Sequence, residues 1–158
     1  MSLYVDLLRW THVIGATVLL GTGAGIAFFM VMAMRDRRPV VVAHVAATVV
    51  VADLVFTATA VLVQPITGLL LARAVGWPLD EGWLLAALGL YVFVGACWLP
   101  VVAIQIRIRD LSRQAALRGD DQLPDRAVAL FRVWLALGVP AFGGVLAILW
   151  LMQTTPGF

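Results

Sequence analysis

VVVAHVAATVVVADLVFTATAVLVQPITGLLLARAV, residues 40–75, is the stretch that decides what kind of protein this is. Between Val40 and Val63 the only ionisable side chains are His44 and Asp53; the rest is apolar or small. A run of about 20 such residues is what crosses a hydrocarbon core roughly 30 Å thick. Inside lipid no water satisfies backbone amides, and open apolar strands would leave bare edges, so the run has to be a helix.

Three other stretches repeat the pattern, at residues 10–34, 83–106 and 127–152. The expectation is an all-α fold: a four-transmembrane-helix bundle forming one integral membrane domain over residues 1–158. Composition agrees. The 158 residues are 63% hydrophobic and 13% charged, with a mean hydropathy of +1.00. Soluble domains carry about 45–50% apolar and 25% charged residues. An ordinary globular enzyme, a disordered segment and a nucleic-acid-binding module are thereby excluded. All 11 basic residues are arginines, clustered between the apolar runs, so the basic balance is no nucleic-acid footprint. The single cysteine, Cys97, excludes an internal disulfide and a cysteine metal cage.

Arginine placement sets an orientation. Arg35, Arg37 and Arg38 follow the first span, and Arg107, Arg109, Arg113, Arg118 and Arg126 follow the third, against Arg9 and Arg73 on the other side. The positive-inside rule then puts both arginine-rich loops in the cytoplasm and both termini outside. Trp10, Trp77, Trp83 and Trp150 fall at the outer ends, and Trp98 and Trp134 towards the inner, as interfacial aromatics do. Asp6 and Arg9 occupy the place of a basic n-region, and the apolar run is too long for an h-region, so a cleaved leader is not expected.

The second pattern continues past Gln64 and Pro65 to Ala74. Pro65 removes an amide, which predicts a kink and an outer segment lying near the interface. The helical spacing of residues 105–118 predicts that the third helix emerges into the cytoplasm, with a break at Gly119-Asp120-Asp121 and a new helix from Pro124. Pro100 and Pro140 are expected to bend their helices. Gly21 and Gly25 form a small-xxx-small pair, and Gly138, Gly143 and Gly144 mark the fourth helix. Such faces let helices approach, within the chain or against a second copy or membrane partner.

Polar side chains inside a span are costly, and each is a candidate site. Gln105 and Arg132 sit near the inner boundary, where snorkelling accounts for them. His12 and Arg9 share one side of the first helix, and Gly15, Ala16, Leu19 and Gly23 continue it as a small-residue floor. A neutral imidazole is a common axial ligand of haem iron, and Arg9 would suit a propionate. The other reading is a histidine bonded to a neighbouring carbonyl or hydroxyl. His44 enters its helix from the opposite side, on the order of 20 Å away along the normal, so one iron cannot take both histidines. Asp53, near mid-span, shares a face with Thr57, Ala60 and Gln64. Its readings are a proton relay, a charge partner for a cofactor, a cation site, or a structural hydrogen bond to a Thr or Trp. No nucleotide loop, catalytic triad, CxxC, HExxH or methionine-rich copper relay can be assembled.

Three segments carry a resemblance: Leu8-Arg9-Trp10-Thr11-His12-Val13-Ile14-Gly15, Gln64-Pro65-Ile66-Thr67-Gly68 and Gly95-Ala96-Cys97-Trp98-Leu99-Pro100. Together they resemble a bacterial family of predicted integral membrane proteins of unknown function, over nearly the whole chain. More distantly, the first helix is similar to those of the HemJ-type protoporphyrinogen oxidases and the CopD copper-resistance proteins. In the HemJ family an early histidine is associated with haem b, and His12 stands in its place. That family's lysine in the third helix has Ala87 as its counterpart here, and this chain has no lysine, which speaks against the oxidase reaction. The resemblance thus implies a bacterial inner-membrane protein holding b-type haem through His12, in electron transfer, haem handling or haem sensing. The alternative is a non-redox assembly module, or a small transporter subunit using Asp53.

Overall fold

The computed structural model, described over residues 2–155, is helical throughout its spans, in the order α1 (Leu3–Asp36), α2 (Pro39–Ala52), a π-helical turn (Asp53–Thr57), α3 (Ala58–Val75), α4 (Gly82–Arg118) and α5 (Asp125–Thr154). The α2–π–α3 stretch runs as one helical segment, Pro39–Val75, which makes four helices long and apolar enough to cross a membrane. All four expected spans lie inside these helices. Among the described residues there is no strand.

The sequence terminates each helix by a definite device. Arg37 takes a left-handed conformation with φ 59°, and its N–H bonds the Ala33 carbonyl. Pro39 then opens α2, where a missing amide costs nothing. Gly76 and Gly119 end α3 and α4 with φ of 80° and 78°, a conformation glycine adopts without a Cβ clash. The next amides reach back, Trp77 to the Ala72 carbonyl at 2.9 Å and Asp120 to the Ala115 carbonyl at 3.0 Å. That is the Schellman arrangement, and it satisfies carbonyls that would otherwise be bare. The break expected at Gly119 and the restart beside Pro124 are both present.

The second span departs from expectation. Helix α3 continues through Pro65, and its outer part stays within the bundle instead of leaving for the interface: Ala72 packs with Trp83 and Leu84. A proline frees the carbonyl four residues before it. For Pro65 that is Val61, whose oxygen accepts a hydrogen bond from the Tyr91 hydroxyl of α4. The backbone irregularity falls one helical stretch earlier, where the Ala58 N–H bonds the Asp53 carbonyl in a π-turn. Such turns insert one residue into the helical ladder and recur at functional positions.

Helix α4 packs along α5 and α2, and α1 packs along α2 and α3, whereas α3 makes no comparable contact with α5. The result is a dense half and an open half. At the arginine-rich end Met30, Val42, Ala46, Ile104, Ile108 and Trp134 belong to one continuous buried cluster. At the end carrying the termini a smaller plug forms from Ala72, Trp83 and Leu84, with Leu79 and Met152 against it. A cavity separates the two. Gly144 brings α5 against α4, since a Cβ there would meet Val94 at 2.6 Å. Gly21 and Gly25 have nothing within 4 Å of a would-be Cβ, so their face is not used for packing inside the chain.

Candidate functional site

The cavity between the two plugs has a volume of about 510 Å³, within the roughly 300–1,000 Å³ typical of small-molecule sites. Its walls are overwhelmingly apolar, with Leu19, Leu69, Leu88 and Phe142 among them. Ala24 of α1 and Val139 of α5 line it although both are exposed. It therefore reaches the outer, membrane-facing surface of the bundle beside α1 and α5. Polar groups gather at its two ends.

His12 marks one end. Its Nδ1 lies 3.0 Å from Thr67 Oγ1. The same hydroxyl is 2.9 Å from the Val63 carbonyl and 3.2 Å from that of Gln64. With the hydroxyl proton on one of these carbonyls, Thr67 accepts its hydrogen bond from His12 Nδ1–H. In that tautomer Nε2 keeps its lone pair. The ring lies against Gly68, where a Cβ would sit 3.0 Å from His12 Cε1. Gln64 in turn covers Gly15, where a Cβ would be 3.1 Å from Oε1.

The segment Gln64-Pro65-Ile66-Thr67-Gly68 thereby acquires a physical meaning residue by residue. Gln64 seats α3 on α1, Pro65 frees the carbonyl that Tyr91 uses, Thr67 orients the imidazole and Gly68 makes room for it. Of the small-residue floor expected beneath His12, Ala16, Leu19 and Gly23 line the cavity, but Gly15 does not, because Gln64 occupies the space above it. Arg9 is exposed, one turn nearer the N-terminus, and is not among the cavity-lining residues. His44 is exposed on α2 and does not line the cavity either.

Asp53 marks the other end, about 21 Å from Thr67 along the helix at 1.5 Å per residue. It is buried, and Trp98 Nε1 donates to its Oδ1 at 3.2 Å. Gln105, fully buried, donates from its amide nitrogen to Oδ2 at 3.0 Å, while its amide oxygen accepts from Trp134 Nε1 at 3.2 Å. The amide orientation follows from the indole: Trp134 can only donate, so the oxygen must face it. This network ties the π-turn to α4 and α5. The expected face of Asp53, Thr57, Ala60 and Gln64 is buried as a set, and among the described residues Gln64 Oε1 has no hydrogen-bond partner.

Gln105 is thus no snorkelling boundary residue, and Trp134 is a buried member of a polar network instead of an interfacial anchor. A signal existed: Trp98 and Gln105 are seven residues apart, hence on one face of α4, and that face also carries buried Val101 and Ile104. Thr67, Gly68 and Tyr91 left no such trace, because each matters through a partner on a different helix. Among the described residues no group of three or more His, Cys, Asp or Glu is placed to hold a metal ion.

Four membrane-length helices enclosing a lipid-facing cavity define a multi-pass integral membrane protein that contacts the bilayer. Residues 6–156 match the model of the family described as a predicted integral membrane protein, DUF2269, and the chain belongs to that family, whose function is unknown. No curated protein and no solved structure matches the chain.

Proposed function

We propose that this protein holds a b-type haem in its lipid-facing cavity, with His12 Nε2 as an axial ligand, and that it serves electron transfer, haem handling or haem sensing in a bacterial inner membrane with both termini outside. The observation that carries the reading is the Thr67 hydroxyl on His12 Nδ1. Histidine ligands of metals are held this way, by an acceptor on the second ring nitrogen that fixes the tautomer and the plane of the ring. The residues fit the group in two further respects: the cavity has small-molecule size, and Ala16 and Gly23 present little bulk below the imidazole. A haem bound there would supply one-electron exchange at iron. The protein's own part is to offer one oriented nitrogen, exclude water and admit the ligand from the bilayer. Arg9, near the membrane surface on the same side of α1, is the proposed partner of a propionate.

Haem titration of the detergent-purified chain tests the reading. Saturable binding of one haem per chain is expected, with a Soret band that shifts on reduction, and His12→Ala should bind at least tenfold more weakly. Equal titration curves for the two proteins would overturn it. Gly21 and Gly25, open on the surface of α1, are the face through which we propose that a second copy or a membrane partner packs.

A further inference from the structure

We propose that the Asp53 end of the cavity is a binding site for a lipophilic organic cation that enters from the bilayer. The inference is independent of haem at His12, since the two ends lie about 21 Å apart along the α2–α3 axis.

The argument begins with the hydrogen bonds. Trp98 and Trp134 can only donate, and through Gln105 they make both Asp53 oxygens acceptors, at 3.2 Å and 3.0 Å. A donor on each oxygen stabilises the ionised form of the carboxyl. A carboxylate has about four acceptor positions, so two donors leave room for more. Every basic residue in the chain is an arginine, and none lines the cavity. Asp53 therefore has donors but no counter-charge, in a medium where water screens little. Intramembrane acids of this kind ordinarily mark the path of a cation or find a basic partner.

The surroundings select the kind of cation. A hydrated inorganic ion needs several oxygen ligands, and the walls offer little polar surface besides Asp53, Thr57 and Gln64. Trp98, Trp134 and Tyr91 line the same cavity, and aromatic faces attract organic cations by the ring quadrupole. A charge carried on aromatic or aliphatic groups matches both the carboxylate and the apolar wall. The exposed lining residues Ala24 and Val139 place the entrance in the lipid, where such cations concentrate. The tightly packed cluster at the arginine-rich end closes the site beyond Gln105 and Trp134.

The test is equilibrium dialysis of tetraphenylphosphonium against the full chain in nanodiscs, with Asp53→Asn, Asp53→Glu, His12→Ala and Ala24→Phe beside it. Saturable binding near one per chain is expected, weakened at least tenfold in Asp53→Asn and retained in Asp53→Glu and His12→Ala. Ala24→Phe narrows the entrance without touching the Asp53 network and should also weaken binding, which keeps the test decisive if Asp53→Asn does not fold. The neutral analogue triphenylphosphine oxide should not compete. Unsaturable binding, displacement by the neutral analogue, or undiminished binding in folded Asp53→Asn or in Ala24→Phe would overturn the proposal. Loss of haem in His12→Ala with cation binding intact separates this site from the haem reading.

Discussion

Replacing Thr67 by Val keeps the volume of the side chain but removes the oxygen that holds His12 Nδ1. If the imidazole is an axial ligand, Thr67→Val should weaken haem about 10–100-fold, the usual effect of losing an outer-shell partner. Thr67→Ser should restore most of it, and a haem titration reads both. Gly68 belongs to the same argument. A Cβ there would press on His12 Cε1 at 3.0 Å, so Gly68→Ala should lower haem affinity while Gly21→Ala, with open space around it and outside the cavity lining, should not. At this scale the sequence was partly legible. His12 and Asp53 stand out because ionisable groups in apolar runs are rare. Thr67 does not, since its partner is on another helix; Gln105 stands out but reads as a snorkelling residue until the fold ties it into the Asp53 network.

At the scale of helices, proline in a span is tolerated only if its orphaned carbonyl finds a donor, and Tyr91 supplies one to Val61. Tyr91→Phe should therefore destabilise the fold by about 1–3 kcal/mol, the cost of leaving a buried acceptor bare. In a Pro65→Ala background the residue 65 amide returns to the Val61 carbonyl, and Tyr91→Phe should then cost much less. Thermal unfolding of the four proteins in detergent closes that cycle. Where α4 meets α5, Gly144→Ala should cost about 1–3 kcal/mol by overpacking against Val94, whereas Gly21→Ala should be neutral. Outside the membrane, Arg38 bonds Asp36 at 2.6 Å and 2.8 Å and holds its carboxyl below the usual value of 3.8. A depressed carboxyl contributes stability above its unfolded value, and the contribution disappears as pH falls through the folded one. Both groups are solvent-exposed, so Asp36→Asn should leave the unfolding temperature at neutral pH unchanged within scatter. Helix existence was legible at this scale because the apolar runs are long. The position of the irregularity was not: Pro65 signals a break in the sequence, but Tyr91 on another helix compensates it, while the π-turn at residues 53–57 contains no proline or glycine to announce it.

The whole molecule is a bundle packed solidly at its arginine-rich end, lightly plugged at the other, and open to lipid between. The four spans and the polar face of the second were visible in the sequence; the cavity was not, since it arises because α3 lies on α1 and not closely on α4 or α5. The proposed orientation puts the arginine-rich loops inside, so Leu117→Cys in a Cys97→Ser background should resist a membrane-impermeant maleimide in intact cells and react in inverted vesicles. Leu117 is exposed on the helix α4 extension, so labelling reports sidedness and not burial. The central claim is that His12 presents an oriented nitrogen to a haem. The measurement that meets it most directly is the oxidised and dithionite-reduced absorption spectrum of the protein purified from haem-replete cells, beside His12→Ala. The account predicts a Soret band that sharpens on reduction in the first and is lost in the second; a featureless spectrum, or one that survives the substitution unchanged, would contradict it.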